Sequence, residues 1–497
     1  MLGAPILTSA MSRDSRHVAA QAQTRNDKGS RSQGDQGIGV DSRRMSPQAP
    51  FQPDRRAEAQ RQQELQGFPG NQIRTKLHAL HPPWFLMRVL SKYTRQILAQ
   101  NAGRDLDRLT LKLALLRKDP FAFFRGTNPL FLEFLPRGHA LLRAPCVLIC
   151  GDLHLENFGA FKGDNRLCYF DMNDFDEACL APVTLDIVRF VASIKVAAHG
   201  LGVKPAHSRL LVRHFFKAYL HSISDGKPRW VERSLAQGVF RELLRRAMNR
   251  TRRQLLARFT KLKGGERRIR ADGVRALRID AAERPRLKRL LAKFAVPGVG
   301  RPFFRLLDAA RRIAGCGSLG LARYILLVQG RGSPDQNFAL DLKFAAPSAV
   351  AEWLAQPQPQ WASEAARVVS IQRVMQAISP ALLHAVRFEN QYYVLKELQP
   401  SIDRLDLSQW RSKPRRILQA VEGMGHVAAW AHLRGCGHYG AASSETLQAY
   451  AATKRWPRSV DRLASVAARR IHRAWEIYCR DFDSGAVTAA LAKIKPR

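Results

Sequence analysis

The spacing of apolar residues along the chain predicts where helices lie. Apolar residues three and four positions apart, the period of an amphipathic helix, recur over residues 84–116 and 185–199. Gly103 is expected to divide the first run into two helices, since glycine interrupts helical patterns. Strand and loop structure is expected beyond that run as far as Leu142, and residues 205–298 are predicted to be mainly helical.

Shorter apolar runs, bounded by glycine or polar residues, predict strands. Four such strands are expected at residues 147–150, 167–170, 322–328 and 338–344. Residues 364–378 suit a helix, and residues 385–398 suit a hairpin that turns at Asn390 and Gln391. The mixture predicts an α+β fold.

Polar residues with the chemistry of phosphoryl transfer follow the first of these strands. Residues 147–150 lead into Gly151 and Asp152, and Asn157 comes five positions after Asp152. A protein-kinase catalytic loop has the same spacing between its Asp and its Asn. Asp and Asn at strand ends are also common turn residues, so a turn-forming role is the alternative.

A second polar cluster follows the strand at residues 167–170. It contains Asp171, Asn173, Asp174 and Asp176. A carboxylate after a strand can hold Mg²⁺ against nucleotide phosphates, which predicts that Asn157 and Asp174 bind a metal ion. Asp171 is the alternative metal ligand, because either Asp can close the strand.

A glycine-rich segment further along the chain resembles the hairpin that covers ATP phosphates. Gly315, Gly317 and Gly320 precede the strand at residues 322–328, and Lys343 lies on the strand after that. Lys343 is predicted to pair with phosphates, with a surface-strand lysine as the alternative. Glu364, on the following helix, is the candidate partner of Lys343.

Three motifs connect the chain with a known family. They are Phe121-Ala122-Phe123-Phe124-Arg125-Gly126, the segment GDLHLENFG at residues 151–159, and FDMNDFDE at residues 170–177. Together they resemble an uncharacterised bacterial family with the motifs F-x-F-x-R-G, G-D-x-H-x-x-N-F-G and F-D-x-N-D-F-D-E. The second and third motifs are also distantly similar to the loops of aminoglycoside and choline kinases. That similarity implies a protein-kinase-like fold with two lobes.

The order of the motifs implies that such a fold is permuted, since the glycine-rich segment follows the catalytic motif. The expected division is a disordered extension at 1–75, a large-lobe segment at 76–300, a small lobe at 301–400 and a helical segment at 401–497 that completes the large lobe. The competing arrangement assigns residues 77–145 to the small lobe.

The apolar runs and the cysteines of the chain argue against several classes of protein. No apolar run is long enough to span a bilayer, and residues 1–11 lack the basic start of a secretory signal. The seven cysteines include no C-x-x-C pair, which argues against a zinc site or a disulfide framework. A cytoplasmic protein is expected.

The formal net charge of +40 is the outlying property of the composition. Between residues 241 and 290, Lys and Arg outnumber Asp and Glu by 18 to 5. Such a surface attracts polyanions, so nucleic acid is a candidate partner. The alternative is a solvated face built from arginine. Phe259 is the only aromatic residue of this segment, which disfavours single-strand binding by stacking.

These features predict a phosphotransferase that uses ATP and Mg²⁺ and acts on a hydroxyl group. Asp152 would accept the hydroxyl proton, and Arg125 would neutralise a phosphate or the acceptor, or else form a structural salt bridge. His154 is expected to order the loop as a hydrogen-bond donor. The alternatives are a pseudokinase-like module that binds nucleotide without transfer, and a basic protein associated with nucleic acid.

Overall fold

A computed structural model describes residues 90–493 except 235, 355, 400–403, 412 and 454. The extension predicted to be disordered and the helical pattern before residue 90 lie outside the described residues. The described chain has a mixed α+β fold with several antiparallel sheets. Its helices are α1 Lys92–Gln100, α2 Leu106–Lys118, α3 Pro120–Gly126, α4 Asn128–Glu133, α5 Thr184–Ala197, α6 Pro205–Asp225, α7 Gly238–Asn249, α8 Arg252–Ala257, α9 Glu283–Lys293, α10 Ala349–Trp353, α11 Glu364–Met375, α12 Pro414–Gly435, α13 Ser444–Ala452, α14 Trp456–Asp483 and α15 Ala486–Leu491.

The strands form four antiparallel sheets among the described residues. They are β1 Cys146–Ile149, β2 Phe158–Lys162, β3 Cys168–Met172, β4 Cys179–Pro182, β5 Val231–Glu232, β6 Thr260–Lys263, β7 Glu266–Ile269, β8 Ala276–Arg278, β9 Leu306–Arg312, β10 Arg323–Val328, β11 Phe338–Phe344, β12 His384–Phe388 and β13 Gln391–Glu397. The largest sheet has the order β12-β13-β11-β10-β9-β8. The others are β1-β4, β2-β3-β5 and β6-β7.

Pairing between strands places the two polar clusters beside each other. β1 pairs with β4 so that Ile149 lies opposite Cys179, and β2 pairs with β3 so that Phe158 lies opposite Met172. Residues 150–157 (the first loop) and residues 173–178 (the second loop) therefore leave neighbouring strand ends.

Helices enclose these small sheets. α5 is buried on nearly all sides and is correspondingly apolar around its circumference, as expected of a helix inside a core. α14 packs along α5, and α12 packs along α6. The core that they share includes β1 and the aromatic residues Phe158, Phe190 and Phe215.

The six-stranded sheet buries its two faces against different parts of the chain. Leu340 and Leu342 of β11 point to one face, where α9 packs through Leu287 and Leu291. Lys343 belongs to the opposite face, as the alternation of β11 predicts. We call this opposite face the cleft face.

Several predicted elements agree with the structure. α1 and α2 flank Gly103, and α5 covers the predicted helix at 185–199 except for its last two residues. The hairpin β12–β13 is present, with its turn at Glu389 and Asn390, one residue before the predicted position. Lys343 lies on a strand, and the glycine-rich segment joins β9 to β10.

Two predictions of secondary structure were wrong. The segment at 120–133 forms α3 and α4 rather than strand and loop, because Asp119 caps α3 by accepting from the Ala122 N–H and Pro120 occupies its first turn. Residues 260–278 form β6, β7 and β8 rather than helix, with Gly264 and Gly265 at positive φ in the β6–β7 turn.

The six-stranded sheet also begins earlier than the predicted small lobe at 301–400. Its edge strand β8 comes from residues 276–278, and α9 packs on it from residues 283–293. The described part of the competing segment, residues 77–145, is helical and contributes no strand to this sheet.

Candidate functional site

The first loop is held in place through its backbone. The N–H groups of Cys150 and Gly151 both donate to the carboxylate of Asp186, each at 2.9 Å. Gly151 has φ +78°, and a Cβ at this position would overlap the carbonyl group of Glu177. Only glycine suits this conformation and this approach between the two loops.

Asp186 is itself fixed by a buried network. His432 Nε2 lies 3.3 Å from Asp186 Oδ2, and His432 Nδ1 lies 2.9 Å from the hydroxyl of Tyr219. Burial raises the pKa of Tyr219, so its hydroxyl stays protonated. Helices α5, α6 and α12 thus hold the first loop together. Asp186, Tyr219 and His432 all lie outside the three sequence motifs.

Asp152 lies in the first loop against a buried arginine. Arg189 of α5 approaches Asp152 Oδ1 at 2.9 Å through Nε, and it also donates to the carbonyl oxygen of Phe124 at 2.8 Å. Burial raises the pKa of Asp152 to about 6, and the Arg189 guanidinium opposes this shift. The carboxylate is therefore oriented by one fixed partner and has the pKa of a group that can exchange a proton near neutrality.

His154 orders the first loop, but as an acceptor rather than as the expected donor. Its Nδ1 accepts a hydrogen bond from the Glu156 N–H at 3.1 Å. Burial lowers the pKa of His154 well below its ordinary value, and the neutral ring is consistent with an accepting nitrogen.

Asn157 joins the two loops. Its Oδ1 accepts from the Asp174 N–H at 2.8 Å, and its Nδ2 donates to the carbonyl oxygens of Asp174 and Asp152 at 3.1 Å and 3.3 Å. An amide oxygen has two lone pairs, and this bond occupies one of those on Oδ1.

Asp174 faces the cleft between the second loop and the six-stranded sheet. Its side chain is 51% exposed, and Oδ1 lies 3.5 Å from Nζ of Lys343. Burial would raise the pKa of Asp174, but Lys343, Arg404 and Lys396 hold it well below its usual range. Asp174 is thus an ionised carboxylate beside several cations.

Asp171 does not share that position. Its carboxylate accepts from the N–H groups of Met172 at 2.8 Å and Ala377 at 3.1 Å, and it lies 3.5 Å from Arg434. Burial raises its pKa. Asp171 fixes the end of β3 to the segment after α11.

Lys343 reaches the second loop from β11. It forms an ion pair with Asp176 in addition to its contact with Asp174. Glu364, the predicted partner of Lys343, instead pairs with Arg367 of its own helix at 2.7 Å. Arg367 in turn donates to the carbonyl oxygens of Asp176, at 2.8 Å, and of Ala178. Helix α11 therefore supports the second loop through Arg367.

Arg125 lies on α3 beside the first loop and forms an ion pair with Glu156. Its guanidinium also lies over the ring of Phe121, 5.9 Å from the centroid. Arg125 lowers the pKa of His154 and, as a weaker influence, that of Asp152, so its charge acts on the site itself.

Residues 315–320 (the glycine turn) are anchored by α2 and the residues before it. Arg104 donates to the carbonyl oxygens of Gly317 and Leu319, both at 2.7 Å, and Lys112 donates to Gly317 at 2.9 Å. Within the described part of the chain, no acceptor lies against the N–H groups of Cys316, Gly317 or Ser318. With its carbonyls bonded and its N–H groups available, the turn has the polarity of an anion-binding site.

The anchor itself contains a buried lysine. Lys112 donates to Oδ1 of Asn101 at 2.7 Å, and burial lowers its pKa to about 7. This contact between the glycine turn and α2 had no signal in the sequence, because the partners are 205 residues apart.

The described residues contain neither a membrane-spanning helix nor a ready-made cluster of metal ligands. No helix there is both long and apolar enough to cross a membrane. No group of three or more His, Cys, Asp or Glu side chains is arranged to hold a metal ion in the same residues. Mg²⁺ commonly takes only one or two carboxylates and completes its shell with phosphate oxygens and water.

Comparisons with known proteins gave one match. A sequence model described as "Uncharacterized protein conserved in bacteria (DUF2252)" matches residues 104–481, which include both loops, the glycine turn and Lys343. A search of curated proteins and a search of solved structures each found no match.

Proposed function

The chain belongs to the DUF2252 family of bacterial proteins, and from that premise we propose that it is a phosphotransferase that uses Mg²⁺ and ATP to phosphorylate a hydroxyl group. The second loop and β11 carry the proposal, because they bring Lys343 to Asp176 and Asp174 although Lys343 and Asp176 are 167 residues apart in the chain. A turn-forming cluster would not need a distant lysine.

The same site offers places for the metal ion and the phosphates. Asp174 and the free lone pair of Asn157 Oδ1 are the ligands that we assign to Mg²⁺. Lys343 and the N–H groups of the glycine turn are assigned to the phosphates. Mg²⁺, when bound, would neutralise the charge that develops on the transferred group.

Asp152 is assigned to the acceptor. The hydroxyl oxygen of the acceptor forms a bond to the γ-phosphorus, and the bond from that phosphorus to the bridging oxygen of ADP breaks. The hydroxyl proton passes to the Asp152 carboxylate, whose other oxygen is held by Arg189. Arg125, beside Glu156, is assigned to the charge on the acceptor or the transferred phosphoryl group.

For the fold, we propose a permuted protein-kinase-like arrangement. The glycine turn, the Lys343 strand, α11 and the hairpin β12–β13 occur in the order expected of a small lobe, but after the first loop in the chain. Chain order does not fix spatial order, and permutation is tolerated where connections lie at the surface.

Two variants test the roles of the carboxylates. Asp174→Asn removes a negative ligand, so it should weaken Mg²⁺-ATP binding. Asp152→Asn keeps the size of the side chain but loses the proton acceptor, so binding should stay near wild type while transfer falls by on the order of 10²–10⁴. Calorimetric titration measures the binding, and release of ADP in the presence of an acceptor panel measures the transfer.

Asp107→Asn, on the exposed face of α2, is the matched control and should change neither quantity. Mg²⁺-ATP binding without any transfer by the wild-type protein would select the pseudokinase-like alternative. Equal loss of binding and of folded structure in both variants would mean that these carboxylates are scaffold, and the phosphotransferase proposal would be abandoned.

A further inference from the structure

The cleft face of the six-stranded sheet has an apolar half that the chain itself covers. Ile325 and Leu327 of β10 pair across the sheet with Asp341 and Ala339 of β11. The apolar residues Ile325, Leu327 and Ala339 pack, together with Leu398, against Leu256 of α8, Phe259 and Ile269. Most of these side chains are less than 5% exposed. This half of the face is therefore already buried.

The other half of the cleft face is ionic. Asp341 accepts from Arg323 at 2.8 Å and from Arg312 at 2.8 Å, so two guanidinium groups share one carboxylate. In the register of the sheet, Lys396 lies opposite Asp341, and Lys343 lies opposite Arg323. The strands thus present four cations and one carboxylate beside the second loop.

Among the described residues, two cations near the second loop have no carboxylate bonded directly to them. Lys396 and Arg404 form no side-chain hydrogen bond or ion pair with any residue that the structure describes, yet both are close enough to Asp174 to lower its pKa. Arg404 also pairs through its backbone with Gly159, directly after the first loop. Both side chains are part-buried, Lys396 on β13 and Arg404 shortly before α12.

A part-buried cation without a directly bonded anion is stabilised when an anion binds to it. A nucleobase, in contrast, is held by apolar surfaces with a few polar groups between them. Here the apolar half of the face is occupied by Phe259 and Leu256, and the part-buried Lys396 and Arg404 lie near the ionic half.

We propose that this site recognises its phosphoryl donor through the triphosphate group and discriminates little between bases, with Lys396 and Arg404 as the residues that bind the additional phosphate charge. The inference rests on the proposed function, since it concerns the donor side of the same site. Nucleoside triphosphates and inorganic triphosphate share the chemistry that these cations recognise.

The test is calorimetric titration of the full chain with the Mg²⁺ complexes of ATP, GTP, UTP and inorganic triphosphate. The three nucleotides should bind within about fivefold of one another, and triphosphate within about tenfold, which is about 1.4 kcal/mol. ATP binding that exceeds UTP binding by about a hundredfold would overturn base indifference while leaving the phosphotransferase proposal intact. Binding of none of the four ligands would overturn the phosphotransferase proposal itself.

Variants identify the cations. Lys396→Met and Arg404→Met should each weaken all four ligands by a similar factor, about tenfold or more, because each removes a charge–phosphate contact. Lys396→Arg and Arg404→Lys keep the charge and should retain most of the affinity, which guards against a variant that merely fails to fold. Arg387→Met, exposed on β12 of the same sheet, is the control. A loss confined to ATP, or no loss in either Met variant, would refute the assignment.

Discussion

Asp152 combines two influences that set the pH range of the proposed reaction. Burial raises its pKa to about 6, and the Arg189 guanidinium limits that rise. The carboxylate must be ionised to accept a proton, so the base is lost as the pH falls through its pKa.

We therefore expect kcat/KM for transfer to rise with pH through about 6 and to level off above it. Arg189→Met removes the cation that stabilises the ionised form, so the rising limb should move to higher pH. A pH–rate profile from about pH 5 to about pH 9 measures both effects. A profile without a rising limb in that range, or a limb unchanged in Arg189→Met, would contradict the role given to Asp152.

At the scale of single residues, the sequence predicts the candidate chemical groups better than it predicts the residues that position those groups. Asp152, Asn157 and Asp174 are marked by their own local motifs, and the structure brings all three together. Arg189, Asp176 and Lys396 could not be assigned in the same way. Their partners lie on other elements, and only the folded chain decides which of many charged residues meet.

At the scale of elements, α2 and the glycine turn are joined by contacts that no sequence motif indicates. The lysine at its centre is almost fully buried, and it bonds the carbonyl oxygen of Gly317 and the side chain of Asn101. If this contact holds the N–H groups of the turn in position for phosphate, losing it should weaken the binding of a nucleotide that Lys112 itself does not contact.

Lys112→Met should thus weaken Mg²⁺-ATP binding by about fivefold to tenfold and speed amide hydrogen exchange in residues 315–320. The Gly317 carbonyl keeps only its bond from Arg104, and the buried Oδ1 of Asn101 loses the lysine, a loss that costs about 1–3 kcal/mol for a buried acceptor without a donor. Titration and hydrogen-exchange mass spectrometry provide the two measurements. Lys92→Met, at an exposed position of α1, should leave both unchanged. Unaltered exchange in the glycine turn of Lys112→Met would show that α2 does not order it.

Periodicity explains which elements were predictable. β11 and the β12–β13 hairpin have clear alternation, and α5 has a long apolar repeat. α3 was missed because its aromatic residues resemble a strand, although Asp119 and Pro120 supplied the signals of a helix start. β6 and β7 were missed because six of their eight residues are charged or polar and their pairing is local.

At the scale of the whole molecule, the net charge of +40 predicts an electrostatic property that is separate from the proposed chemistry. The exposed cations of the segment at 241–290 include Arg241, Arg245, Arg253, Lys261 and Lys263. Polyanions bind such surfaces mainly by releasing counterions, so affinity falls steeply as salt rises.

We expect duplex DNA to bind without sequence preference at low salt and to lose at least about a hundredfold in affinity between roughly 50 mM and 200 mM salt. Asp152→Asn should not change this binding, since Asp152 is paired with the buried Arg189 and lies outside the segment at 241–290. Fluorescence anisotropy with two unrelated duplexes makes the measurement. Affinity that survives high salt, or that distinguishes the duplexes, would point to a dedicated nucleic-acid site instead.

The sequence predicted the order of the elements along the whole chain better than it predicted which elements pack together. The order of motifs indicated that the glycine turn follows the first loop, and the structure places the six-stranded sheet after that loop. The six-stranded sheet begins with β8, before residue 301, and neither β8 nor α9 carries a motif. Sequence patterns locate elements, whereas the partners of an element depend on contacts between distant segments.

The position of α14 has a consequence for how the protein is made. α14 packs along α5, and its Tyr478 donates to the carbonyl oxygen of Leu113 while its Asp461 pairs with Lys195. During translation, the first loop leaves the ribosome some 300 residues before these contacts can form. The nascent chain must therefore carry the side of α5 that meets α14 uncovered until α14 has been made, although α3 and α6 already pack against other sides of α5. We therefore expect folding of the nascent chain to depend on chaperones. Ribosomes stalled before residue 456 should expose α5, and chaperones that hold unfolded chains should bind to it.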